Sequence, residues 1–233
     1  MLKKDLILKN PLSLLGYETE DIIQKGGFGA VLSRAGVGKT AFLVQLAINS
    51  MLRSKNVLHI SLNDPVNKVG LWYKELFHNL AEQHSPVEIK QLWEDILPHR
   101  FIMTFKVEGF SVPRLGERIT DLTEQNIFHP RMIIIDGFRF DESAQKPLID
   151  LKGLAEKHGF NVWFTVTTHR DEEPEPDGIP ISFSHVEELF DAALKLWPEG
   201  AETHIKILKG ISASSDHPSL LLDSSTMLVK DKN

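Results

Sequence analysis

The sequence predicts an α/β fold with a mostly parallel central sheet flanked by helices and a C-terminal antiparallel β extension. Three observations carry the prediction. Short apolar runs alternate with stretches of helical period from residue 29 to residue 168. RMIIID (131–136) is apolar without a break, as suits a strand buried on both faces. After His185 the rhythm changes to short strand-like pieces separated by turn residues. The 233 residues are read as a single domain with an N-terminal extension (1–25), a helical insert (65–97) and an acidic mobile loop (170–183).

The elements follow in chain order. GAVLS (29–33) reads as a buried strand, and Gly36-Val37-Gly38 as a turn. Thr40 to Leu52 reads as a helix, with Phe42, Leu43, Leu46, Ala47 and Met51 near a 3.6-residue spacing. NVLHISL (56–62) is the second strand. Helices follow from Pro65 to about Gln83 and from Pro86 to about Leu97, and FIMTF (101–105) is the third strand. Val112 to Gln125 is a helix and RMIIID the fourth strand. Gln145 to His158 is a helix closed by Gly159, and NVWFTVTT (161–168) is the fifth strand. AALKLW, THIKIL, SLLL and TMLV form the antiparallel extension, with Pro198-Glu199-Gly200 and Asp223-Ser224-Ser225 as turns. Trp72, Tyr73, Leu76, Phe77 and Leu80 share a helix face and are assigned to the core; the insert that carries them is also a plausible oligomer or partner surface.

Composition narrows the function. The chain is 42% hydrophobic and 25% charged, ordinary values for a globular protein. With no cysteine, disulfides, cysteine-ligated zinc and a cysteine nucleophile are excluded, and a cytoplasmic location is expected. No apolar stretch approaches the roughly 18–20 residues that span a bilayer, and MLKKDLILKNPL has too short an apolar run for a signal peptide. A net charge of -6 argues against nucleic acid as a partner of this chain alone.

SRAGVGKT (33–40) carries the chemistry. A strand, a tight loop of backbone N–H groups and a helix N-terminus together make an anion cradle. Ser33 stands where the usual phosphate-loop pattern has glycine, at a strand end that accepts a small residue. Arg34, Ala35 and Val37 supply loop amides, and Gly36 and Gly38 permit close backbone approach. Lys39 is expected to reach the β- and γ-phosphates and the Thr40 hydroxyl to ligate Mg²⁺. Asp136, at the end of an apolar strand, is the second magnesium residue.

In this order GGFGAVLSRAGVGKTAFLVQLA (26–47), VLHISLND (57–64), MIIIDG (132–137), VWFTVTTHR (162–170) and DAALKLWPEGAETHIKILKG (191–210) resemble the RecA-like P-loop ATPases, within them the DnaB, RadA and KaiC group. The resemblance implies ATP rather than GTP, a site between subunits of a homo-oligomer, and a basic residue reaching the γ-phosphate from the neighbouring subunit. Lys209 matches that residue; its other reading is an edge-blocking lysine. Thr168 and His169 match the family's γ-phosphate sensor position. The family's second strand ends in Ser-Leu-Glu, whereas this chain has Ser61-Leu62-Asn63 and then Asp64. Asparagine orients water but accepts no proton near neutral pH. Asp64 is either a displaced base or an N-cap of the following helix.

The functional expectation is an ATP-binding protein, a slow ATPase whose nucleotide state sets conformation or self-assembly. The alternatives are a non-hydrolysing interaction module that uses nucleotide only as a structural ligand, with a protein partner in place of the homo-oligomer, and a DNA-processing motor. RDEEPEPDGIP (170–180), with five acids and three prolines, speaks against the motor, because the loops that grip DNA in RecA-like proteins have to be basic.

Overall fold

A computed structural model describes residues 2–9, 23–106, 109–168, 178–210 and 220–231. The described residues build an α/β fold on a nine-stranded sheet. Its elements are α1 (Leu2–Leu8), β1 (Phe28–Ser33), α2 (Lys39–Leu52), β2 (Val57–Ser61), α3 (Val66–Ala81), α4 (Pro86–Ile96), β3 (Arg100–Thr104), α5 (Val112–Glu124), β4 (Met132–Asp136), α6 (Gln145–His158), β5 (Asn161–Thr167), α7 (Ile181–Ser184), β6 (Ala192–Glu199), β7 (Glu202–Lys209), β8 (Leu220–Leu222) and β9 (Val229–Asp231). The strand order is β3-β2-β4-β5-β1-β6-β7-β8-β9.

The strands from β3 to β6 run parallel, and β7, β8 and β9 continue the sheet antiparallel. Thus β6 pairs parallel to β1, and the antiparallel extension starts at β7 rather than at β6. TMLV is not a strand of its own: Asp223 accepts hydrogen bonds from the Ser225 and Thr226 amides and an ion pair from Lys230, folding a turn that delays β9 to Val229. The first-turn helix α1 was not foreseen; it buries Leu2 and Leu6 against α2 and α3.

Alternation along the strands explains the unbroken apolar runs. Val31, Val57, Ile134 and Trp163 face α2 and α3, while Ala30, Leu32, Leu58, Ile133, Ile135 and Phe164 face the layer of α5, α6 and α7. Phe28, Phe164, Phe183 and Phe190 pack edge-on or tilted at 4.7–5.7 Å in the second layer. Such pairs contribute about 0.5–1.5 kcal/mol each beyond burial. Gly159, at φ 72, caps α6, with its N–H donating to Ala155 O.

Two features position the ends of β1 and β2. Helix α2 is buried along almost its whole length, so the loop that precedes it is anchored on both sides. The imidazole of His59 on β2, fully buried, is 3.0 Å from Tyr73 Oη on α3 and so clamps that helix to the strand. Burial pushes the His59 pKa down to about 4. Within the 65–97 insert, α3 sinks Val69, Tyr73, Leu76, Phe77 and Leu80 into the core, whereas α4 buries only Leu92 and Ile96 and leaves Val87 exposed. No helix among the described residues is long and apolar enough to cross a membrane.

Candidate functional site

The site forms where the C-terminal ends of β1, β2, β4 and β5 meet, beside the strand around which the chain order reverses. Register brings the residues together: Ser33 lies opposite Thr167, Ser61 opposite Asp136, and Ile135 opposite Phe164, so Asp136 falls beside Thr165.

The loop after β1 turns at Gly36 (φ 78) and Gly38 (φ 113). Both lie in the left-handed region that side chains avoid. Gly38 is also a contact point, because a Cβ there would lie 2.4 Å from Leu222 Cδ2 of β8. The C-terminal extension therefore closes one wall of the loop. Gln45 on α2 secures it, donating to Met227 O and accepting from the Val229 N–H. At Gly36 a Cβ would meet nothing within 4 Å, so the crest of the loop is open. Helix α2 starts at Lys39 with no side chain capping its N-terminus, which leaves its first amides directed into the loop region.

Lys39 is 8% exposed, and its Nζ donates to Ser33 O and Arg34 O, both at 2.9 Å. Burial lowers the Lys39 pKa to about 8 against the opposing pull of the Asp136 carboxylate. Thr40 Oγ1 donates to Asp136 Oδ2 at 2.7 Å. Thr165 Oγ1 donates to Asp136 Oδ1 at 2.7 Å and accepts from the Gly137 N–H at 3.0 Å. Both carboxylate oxygens of Asp136 are thus held by hydroxyls. The Thr168 N–H donates to Ser33 O at 3.0 Å, tying the end of β5 to the same loop.

The second carboxylate is arranged differently. Asn63 sits against Gly137, where an added Cβ would come 2.3 Å from Asn63 Nδ2. Asp64 takes its backbone N–H to Ser61 Oγ, and its Oδ1 is 2.9 Å from Lys68 Nζ, one turn into α3. It does not cap that helix; Pro65 occupies the N-cap position.

The structure thus gathers Ser33, Lys39, Thr40, Asn63, Asp136 and Thr168 at one end of the sheet, with Arg34, Ala35 and Gly36 exposed and Val37 half-buried in the loop between. His169 and residues 170–177 of the acidic loop lie outside the described residues. Lys209 is not at this end of its own chain. It pairs with Ala193, which faces Ala30 deep in β1, and its Nζ donates to Glu187 O at 2.8 Å. Sequence reasoning missed Thr165, whose only signal is a hydroxyl between Phe164 and Val166, and the bonds by which Gln45 holds Met227 and Val229.

Among the described residues no three His, Asp or Glu side chains converge on one point. A Thr hydroxyl and one carboxylate fit Mg²⁺ all the same, since that ion keeps most of its shell as water and substrate phosphate oxygens. A polar cleft of about 390 Å³ lined by Lys25, Gly27, Lys152 and Asp191 lies at the opposite end of β1 and shares no residue with this site. No protein-family model matches the chain, and no curated protein matches it.

Proposed function

We propose that the chain is a RecA-like nucleotide-binding protein that takes Mg·ATP at the 33–40 loop and hydrolyses it slowly, its nucleotide state controlling conformation or self-assembly. One observation carries the reading: a buried lysine, a helix-starting threonine and a strand-end aspartate converge behind a glycine loop, with Thr40 Oγ1 2.7 Å from Asp136 Oδ2. The loop amides and the uncapped start of α2 accommodate polyphosphate, and Lys39 exchanges the carbonyls of Ser33 and Arg34 for phosphate oxygens. Thr40 and Asp136 hold the magnesium ion, which when bound neutralises charge on the β- and γ-phosphates. Asn63, beside Gly137, orients the attacking water.

Slow turnover follows from the lack of a base at position 63. A positioned base contributes about 10²–10⁴-fold to such a step. Lys209 acts, in this reading, across the interface of a homo-oligomer, since it is remote from the loop of its own chain. A second reading, an interaction module that binds nucleotide without hydrolysing it, is favoured by the Asp64–Lys68 pair, which occupies the nearest alternative base.

Titration calorimetry of the folded chain with Mg·ATP, followed by phosphate release, tests both. Saturable binding below millimolar ligand is expected, about 10²-fold or more weakened in Lys39→Ala. Turnover is expected at least about 10²-fold below the enzymatic median of about 10 s⁻¹. No saturation at millimolar Mg·ATP overturns the proposal, and binding with no phosphate release leaves the second reading. Light scattering with and without Mg·ATP reads the assembly state; a constant monomer removes the role of Lys209.

A further inference from the structure

Thr165 is 3% exposed in the middle of the sheet, flanked by Phe164 and Val166, and its hydroxyl both donates and accepts a hydrogen bond. It accepts from the Gly137 N–H at 3.0 Å and donates to Asp136 Oδ1 at 2.7 Å. A hydroxyl has one proton to give, so this pair of bonds fixes the direction of donation. The Gly137 amide sets where the oxygen lies, and its proton then points at one oxygen of the neighbouring carboxylate. Oδ2 is the oxygen left for Thr40. The carboxylate plane is therefore locked from the β5 side, with the oxygen nearer α2 presented to the hydroxyl of Thr40.

We infer that Thr165 is a positioning residue for the divalent cation: it holds Asp136 in the orientation that lets Asp136 and Thr40 bind one magnesium ion together. This rests on the nucleotide reading above. Residues that orient a metal's ligands are typically worth about 10–100-fold in metal affinity. These two partners also account for a buried hydroxyl between Phe164 and Val166, since burying one without a partner is unfavourable. Two contributions to nucleotide affinity are then distinct. Lys39 and the loop amides act on phosphate with or without metal, whereas Thr165 acts only through the cation.

The test is the ratio of ATP dissociation constants measured in EDTA and in magnesium, by calorimetry on the full chain. In Thr165→Val, which keeps shape and removes the hydroxyl, this metal enhancement is expected to fall about tenfold or more, with affinity in EDTA unchanged within about twofold. Thr165→Ser, which restores the hydroxyl, is expected to keep the enhancement within about threefold of wild type. Where the valine variant does not fold, Thr165→Cys, which lacks the γ-methyl and offers only a weak S–H donor, is expected to lose the enhancement likewise.

Three results overturn the inference. One is an unchanged enhancement in a folded variant that lacks the hydroxyl. Another is a parallel loss of affinity in EDTA and magnesium, which marks a merely structural residue. The third is failure of serine to rescue. Failure of the underlying reading looks different: wild type then binds no ATP in either buffer.

Discussion

Two aspartates stand at the ends of neighbouring parallel strands, and the protein treats them in opposite ways. Asp136, closing β4, is held by Thr40 and Thr165, both hydroxyls directed inward. Asp64, just past β2, turns its carboxylate outward to Lys68 on the exposed first turn of α3. Ser61 and Asp136 are register partners, so the two acids leave the sheet within a few residues of each other. The difference teaches that the corner suited to holding charge is rigidly built, while the corner suited to moving a proton is not. Under the proposed function, binding is strong and hydrolysis weak because these are separate investments in structure.

The most forceful way to break this comparison is to supply a base on the Asn63 side. Asn63 already rests on Gly137, beside Asp136. Asn63→Glu is expected to raise steady-state phosphate release by about tenfold or more, with the roughly 10²–10⁴-fold of a well-positioned general base as its ceiling. ATP affinity should change by less than about threefold, because Lys39 and the loop are untouched. If the glutamate gives no gain while the variant folds and binds, the slow step is set elsewhere and the comparison fails.

A smaller effect, about tenfold per pH unit, sharpens the binding corner. Burial lowers Lys39 to about 8, so above that pH the free folded protein loses the ammonium that phosphate requires. The sign is fixed: a bound polyanion favours the protonated form, so binding takes up a proton above about pH 8 and none well below it. Affinity should be flat from pH 6.5 to 7.5 and decline from about 8 to 9.5. Calorimetry at pH 8.5 in buffers of different ionisation enthalpy measures the proton directly; no uptake there would place Lys39 away from the phosphates.

Much of this arrangement was legible in the chain. The periodicity of α2, the apolar run of β4 and the glycine cap of α6 are local signals, and each element lies within a residue or two of its expected limits. The gathering of Lys39, Thr40 and Asp136 was readable because the glycine spacing lies between an apolar strand and a helix, and a second apolar strand ends in an acid. What was hidden depends on strand order. Thr165 reaches Asp136 only because β5 lies beside β4, a neighbour relation no window of sequence contains. Lys209 is placed by an antiparallel register with a bulge between Ala193 and Leu194, which sends the end of β7 away from the loop. The direction of β6 is likewise a tertiary choice, set by pairing with β1. One local signal was available and unused: Asp64 and Lys68 are spaced i, i+4, a separation at which opposite charges meet.

That pair gives the smallest expected effect and the sharpest control. Lys68 and Asp64 are 58% and 30% exposed, and an exposed i, i+4 pair is worth only about 0.3–0.5 kcal/mol. Lys68→Ala should therefore shift stability by no more than about 0.5 kcal/mol in denaturant unfolding. If the lysine merely masks a competent base, its removal frees Asp64 and turnover rises. If backbone placement is the obstacle, nothing is unmasked: the Asp64 N–H stays bonded to Ser61 Oγ and its Cα stays one residue beyond the position beside Gly137. A misplacement of about 1 Å costs on the order of a hundredfold, far more than loss of a surface ion pair returns. Turnover in Lys68→Ala is accordingly expected within about twofold of wild type, in the wild-type background and in Asn63→Glu alike. A tenfold rise in Lys68→Ala alone would make Asp64 the base and the lysine its restraint, and the outward corner would then be a regulated one rather than an unbuilt one.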